Sequence, residues 1–285
     1  MSAVRGKVAV VTGAGSGIGR ALALGLAERG ARLALSDIGD EGLAETVRQC
    51  RAVGAEVHQA ALDVGDRAAV AAYAQAVADH YGVVHQVYNN AGVGDLATPL
   101  VETDYAVFER VLRVNLWGVV HGTKEFLPHL VASGDGHVVN VSSLNGFMGQ
   151  AYMAPYCASK FAVRGFTEAL RAEARVEGYP VRVTVVHPGG VRTNISTAAL
   201  ARSGHLSPER QARAERRTRV YNETLFRTTP ADAARTVLDG VEAGRERVLI
   251  GNDARAVDLG VRAFPAFYSR VVAWWERRTF GDPAG

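Results

Sequence analysis

Cysteine is scarce: Cys50 and Cys157 are the only two in 285 residues. Two thiols cannot build a disulfide framework, and no paired metal-ligand spacing occurs, so neither a stapled scaffold nor a metal site is expected. Long apolar runs are missing as well, since no stretch approaches the ~20 residues that a spanning helix needs. Neither sign of charge dominates. The 32 basic residues against 29 acidic ones leave a net charge of +3, too small to point to nucleic acid. No signal-peptide pattern precedes the first apolar run, which points to a cytoplasmic protein with reduced thiols. No repeat, low-complexity tract or linker interrupts the chain, and a single domain is expected.

What is there is apolar residue in ordinary globular proportion, 48%, and 31 glycines, several of them clustered near the amino terminus. Lys7–Thr12 is β-rich and is followed by glycines 13, 15, 17 and 19; residues 20–30 then carry a helical pattern that stops at Gly30. Strands follow at 32–37, 56–62, 85–89, 137–141, 181–186 and 247–250. Helices are expected at 41–53, 66–80, 104–131, about 155–176 and 230–243. This regular alternation predicts an α/β fold: a Rossmann-type, doubly wound parallel sheet with helices on both faces. Residues 1–251 form the expected domain, with an arginine-rich segment at 192–228 and a carboxyl-terminal extension at 252–285.

The loop Thr12-Gly-Ala-Gly-Ser-Gly-Ile-Gly19 lies between a strand and a helix, the context in which a dinucleotide pyrophosphate is held. Glycines allow the backbone to turn and to approach the phosphates, and the helix amino terminus offers free N–H groups and partial positive charge. Gly13, Gly17 and Gly19 are the relevant glycines, and Ser16 and Ile18 complete the loop. Asp37 ends the second strand, where a carboxylate accepts hydrogen bonds from the adenosine ribose and repels a 2′-phosphate. Neither Ser16 nor Ile38 is basic. The expected cofactor is therefore NAD(H), preferred over NADP(H).

Tyr156 and Lys160 stand four residues apart, one above the other on a helix face. An ammonium beside a phenol favours the phenolate, which would tune Tyr156 to exchange a proton at an alcohol or carbonyl oxygen. Ser143 follows the apolar strand His137–Val141, at the sheet end where open α/β folds bind ligands. An acid/base group, its tuner and a hydroxyl for the substrate oxygen are thus expected together.

Seven motifs in order carry a resemblance to the short-chain dehydrogenase/reductase family over roughly residues 5–250. They are Thr12-Gly-x-x-x-Gly-x-Gly19, Asp63-Val64, Asn89-Asn-Ala-Gly92, Asn115, Ser143, Tyr156-x-x-x-Lys160 and Pro188-Gly-Gly-Val-Arg-Thr193. The resemblance implies a catalytic tetrad of Asn115, Ser143, Tyr156 and Lys160, with Tyr156 as acid/base and Lys160 bonding the nicotinamide ribose. It implies that Asn115 steadies a water linking Lys160 to solvent. Asp63 and Val64 would meet the adenine, and Asn90, Ala91 and Gly92 would line the cofactor cleft. Val191 and Thr193 would hold the carboxamide, beyond Pro188 and Gly189. It also implies a homodimer or homotetramer and a substrate lid at 192–228.

The chain departs from the pattern in places. His85 stands where the family often has Asp, a change expected to alter local pairing. Ser142 adjoins Ser143, but the thirteen-residue offset to Tyr156 favours Ser143. Tyr152 is expected as a pocket wall, Cys157 as packing and His187 as a structural residue.

In the lid segment, Arg210, Arg213 and Arg217 share a helical face, expected to be solvated rather than a docking site for an acidic substrate. In the extension, Val257, Val261, Phe264, Tyr268, Val271 or Val272 and Trp275 fall near helical spacing, broken at Pro265 and flanked by arginines. Subunit packing, a pocket cover and peripheral membrane contact are all open for this stripe. The expected activity is NAD(H)-dependent interconversion of a small-molecule secondary alcohol and ketone, lipophilic in character. The alternatives are a 3-oxoacyl thioester reductase and a catalytically silent NAD(H)-sensing regulator.

Overall fold

The structure, a computed structural model, describes residues 4–202 and 207–281. Residues 1–3, 203–206 of the lid segment and 282–285 of the extension lie outside the described residues. Seven parallel strands form one sheet in the order β3-β2-β1-β4-β5-β6-β7. They are β1 (Val8–Thr12), β2 (Arg32–Asp37), β3 (Val57–Ala61), β4 (Gln86–Asn89), β5 (Gly136–Val141), β6 (Val181–Pro188) and β7 (Arg247–Ile250). The strands read as continuous apolar runs because helices cover both faces. In β1, Ala9 and Val11 enter the core with Leu22, Leu26, Val237 and Leu238, whereas Val8 and Val10 face Val77, Phe126 and Leu130 on the other side. The expected doubly wound single domain is what forms.

Helices α1 (Gly17–Glu28), α2 (Asp40–Ala52) and α9 (Pro230–Glu242) supply the first layer, and α3 (Arg67–Tyr81), α5 (Gly118–Ala132) and α6 (Ala154–Val176) the second. The order reverses at β1, which pairs with β2 on one side and β4 on the other. Ligand crevices open at such a reversal, beyond the carboxyl ends of the strands. The loops after β1 and β4 meet there: a Cβ added to Gly13, whose φ is +67°, would stand 2.7 Å from the Ala91 Cα.

The helix expected over 104–131 forms without a break but widens in its middle. It runs as α4 (Tyr105–Leu112), a π turn at Arg113–Trp117, and α5. His85 takes a specific local role: its Nδ1 accepts the Val8 amide at 3.1 Å, tying the start of β4 to β1. The remaining helices are α7 (Ile195–Ala201), α8 (Pro208–Val220), α10 (Asn252–Ala263) and α11 (Tyr268–Phe280). Pro265 falls between α10 and α11, where its missing N–H and its ring stop a helix.

Candidate active site

One cavity of about 950 Å³ runs from the glycine loop, over the carboxyl ends of β1, β4, β5 and β6, to α11. At its near end the glycines are required sterically. A Cβ on Gly19 would lie 1.9 Å from the Gly13 carbonyl, and Gly17 adopts a φ of +53°. Helix α1 begins at Gly17 with no side-chain cap from Ser16, so its first-turn amides remain for an anion. Thr12 holds the two loops together, its hydroxyl accepting the Asn90 and Ala91 amides at 3.1 Å each. The Asn90 side chain returns two bonds to the Thr12 and Gly13 carbonyls. Asp37 is fixed by amides of Gly15 (2.8 Å) and Gly39 (2.9 Å), which aim its carboxylate at the cavity wall beside exposed Ile38. This cradle fits a dinucleotide.

At the centre, Ser143, Tyr156 and Lys160 line the cavity floor. Ser142 does not compete with Ser143: its hydroxyl donates to the Lys160 carbonyl at 2.8 Å. His187, fully buried, bonds the Ser143 carbonyl through Nδ1 at 2.8 Å. It therefore steadies the backbone that carries the hydroxyl, and burial pulls its pKa down to about 4. The Lys160 ammonium reaches the Val141 carbonyl at 3.1 Å and lies 5.8 Å from the centre of the Tyr156 ring. Burial brings Lys160 down to about 8.

Tyr156 departs from expectation. Burial pushes its phenol up to about 12, only partly offset by a hydrogen bond with Ser143. Desolvation of the phenolate sets the direction, and the Ser143 hydrogen bond is the only contact that opposes it.

Asn115 is the one tetrad candidate that does not line the cavity. It is fully buried in the π turn, a local widening that recurs at functional sites. Its Oδ1 accepts the Val93 amide at 2.7 Å, and its Nδ2 donates to the Val93 carbonyl at 3.0 Å and to the Ser159 hydroxyl at 3.2 Å. Gly92 fits the gap between Asn115 and Lys160, where a Cβ would come within 3.2 and 3.6 Å of their side chains. The remaining cofactor candidates, Asp63, Val64, Asn90, Ala91, Gly92, Pro188, Gly189, Val191 and Thr193, all line the cavity. Asp63 is also paired with Arg113 at 2.7 Å.

The far end differs most from the sequence reading. Arg217 is 4% exposed and ion-paired with the equally buried Glu276, so it is no solvated lid residue. Arg210 pairs with Glu102 at 2.7 Å, and the Arg213 guanidinium lies 5.2 Å from the centre of the Tyr152 ring. Tyr152 is thus a platform for arginines of α8; it does not line the cavity, and its φ of +67° marks a strained turn. Cys157 packs as expected, its Sγ accepting the Gln150 amide at 3.4 Å. No motif announces Asp253 on α10, whose carboxylate accepts the Gly190 amide at 2.6 Å and braces the turn after β6.

A parallel sheet with a glycine loop at its reversal and a Ser–Tyr–Lys floor defines a nucleotide-cofactor oxidoreductase of Rossmann type. The family model for short chain dehydrogenases matches residues 7–203, and the chain belongs to that family. A Mycobacterium tuberculosis protein bearing the oxidoreductase name SadH is 50% identical over 273 residues, 96% of this chain and 96% of its own. The 1-deoxy-11-beta-hydroxypentalenate dehydrogenase of Streptomyces avermitilis is 40% identical over 195 residues, 68% of this chain and 72% of its own. Among solved structures, a short-chain dehydrogenase/reductase from Burkholderia phymatum in complex with NAD is similar with a TM-score of 0.86. It is 33% identical, with 94% of this chain and 96% of that one covered.

Proposed function

We propose that the protein is an NAD(H)-dependent oxidoreductase that interconverts a lipophilic secondary alcohol and its ketone, with Tyr156 as acid/base. The observation that carries the proposal is the meeting of Ser143, Tyr156 and Lys160 on the floor of a cavity whose other end is apolar. There Val257, Val271, Val272, Trp274 and Trp275 form the wall. The dehydrogenase relative from Streptomyces supports alcohol chemistry, and the NAD complex of the Burkholderia relative supports the cofactor.

When bound, NAD(H) supplies the hydride donor or acceptor. The chain's residues do the rest. Asp37, with no basic residue at Ser16 or Ile38, favours ribose hydroxyls over a 2′-phosphate. The Ser143 hydroxyl donates to the substrate oxygen and holds it against the Tyr156 phenol. Near neutral pH the phenol is protonated, the form that ketone reduction requires, and it delivers its proton to the developing alkoxide. Oxidation runs the transfer in reverse and needs the phenolate. Lys160, whose proton is already loosened, stabilises that anion. Asn115 acts as a positioning residue by clamping Val93 against α6.

Assay of a graded panel of secondary alcohols with NAD and with NADP tests this reading. Turnover with NAD that improves with apolar bulk is expected. Preference for NADP, or for acyl thioesters over alcohols, would contradict it.

A further inference from the structure

The outer face of the two carboxyl-terminal helices carries five large apolar side chains that are left exposed. Leu259, Phe264, Phe267, Val271 and Trp274 remain 70, 64, 51, 49 and 56% exposed. They occupy successive turns of α10, the Pro265 bend and α11, so they form one ridge rather than scattered single residues. The unpaired charge along the α11 part of the ridge is positive. Across residues 259–281 the only carboxylate is Glu276, buried against Arg217; Arg262 pairs with Asp258 at 3.0 Å, while Arg270, Arg277 and Arg278 are exposed. The Arg270 and Arg278 guanidinium carbons lie 5.7 and 5.8 Å from the Phe267 and Trp274 ring centres. Cations edging aromatic side chains suit the boundary between headgroups and acyl chains.

From this arrangement we propose that the α10–α11 face docks on an anionic lipid bilayer. A two-fold contact with a second copy would bring Arg270, Arg277 and Arg278 against their copies, because the carboxylates of α10 are already engaged, Asp253 by the Gly190 amide and Asp258 by Arg247 and Arg262. No helix among the described residues is long and apolar enough to cross a membrane, so the contact is interfacial. The ridge is continuous with the cavity, because Val271 and Trp274 are both exposed and part of its wall. Docked in this way, the cavity mouth faces the bilayer, and a lipophilic ketone reaches Tyr156 without crossing water. That last step rests on the proposed function; the docking itself does not.

The test is co-sedimentation of the full chain with phosphatidylcholine vesicles and with vesicles containing phosphatidylglycerol. Binding to the anionic vesicles alone, weakened by salt, is expected. Phe264→Ser with Phe267→Ser, neither of which lines the cavity, should cut partitioning more than tenfold. The pair should leave turnover of a short, water-soluble ketone unchanged. Arg270→Gln with Arg278→Gln should cost roughly fivefold for each arginine removed. The proposal is overturned if wild-type protein stays in the supernatant at low salt. It is equally overturned if the phenylalanine pair breaks a dimer seen by light scattering and leaves vesicle binding intact. Vesicle binding needs no turnover, so loss of the enzymatic reading would not disturb it.

Discussion

Replacement of Glu276 by Ala should unlatch the roof of the cavity. Glu276 on α11 and Arg217 on α8 form a buried ion pair, and Arg217 also donates to the Tyr221 hydroxyl at 3.1 Å. The rings of Tyr152, Tyr221 and Phe280 surround the guanidinium at 5.8, 5.8 and 3.9 Å. Tyr221 in turn accepts from Gln150 at 2.8 Å, so one network joins the loop before α6, the end of α8 and α11. Burial works against the guanidinium charge, but hydrogen bonding to Glu276 and the proximity of Tyr221 outweigh it, so Arg217 holds its proton more tightly than a free arginine.

Removing the carboxylate leaves a cation buried among rings, a change that costs about 3–5 kcal/mol. The cheapest relief is for α11 to lift and let water reach Arg217. The apolar wall at Val271, Val272, Trp274 and Trp275 then leaves the substrate. At about 0.8 kcal/mol per buried methylene, uncovering two or three methylenes raises KM for a bulky ketone by roughly 15- to 60-fold. KM for a short ketone should hold, and limited proteolysis should cut the tail first. Arg217→Met with Glu276→Leu removes both charges and should restore protection. Equal effects on long and short ketones, or a tail as resistant as wild type, would refute the reasoning.

Three other outcomes follow from the site. Asp37→Ala removes a charged acceptor worth ~1.5–3 kcal/mol, so NAD affinity should fall roughly 10- to 150-fold and the gap to NADP should narrow in paired titrations. Alcohol oxidation should accelerate as pH rises from about 6 to 9 while ketone reduction does not, because burial holds Tyr156 in the acid form; parallel profiles would contradict this. Burial depresses His137 from 6.5 to about 3, so between those values the unfolded chain binds a proton that the folded protein refuses. Stability is therefore lost as pH falls through that window, by at most about 1.4 kcal/mol per unit, and His137→Gln should flatten the slope of denaturant midpoint against pH.

The sheet was readable because its strands are local apolar runs broken by glycines. The glycine loop, the Tyr156–Lys160 spacing and the break at Pro265 are likewise set within a few residues. What escaped notice joins distant parts of the chain. Arg217 and Glu276 are 59 residues apart, Gly190 and Asp253 are 63, and Ser143 and His187 are 44. No spacing announces such pairs. The π turn at Asn115 escaped for another reason: the same apolar periodicity serves a continuous helix, and only the clamp on Val93 shows why the turn widens. The rise of the Tyr156 pKa reflects burial, a tertiary quantity that the neighbouring lysine could not reveal.

The central claim, that Tyr156 exchanges the proton at the substrate oxygen, is open to a single comparison. Tyr156→Phe keeps the ring in place and removes only the hydroxyl. Reduced-nicotinamide production from the best secondary alcohol in the panel should fall by ~10²–10⁴-fold, toward the upper end of what general acid–base help supplies. NADH binding, followed by fluorescence titration, should stay within a few-fold of wild type. A Phe variant that turns over at a tenth of the normal rate with cofactor binding intact would contradict the account.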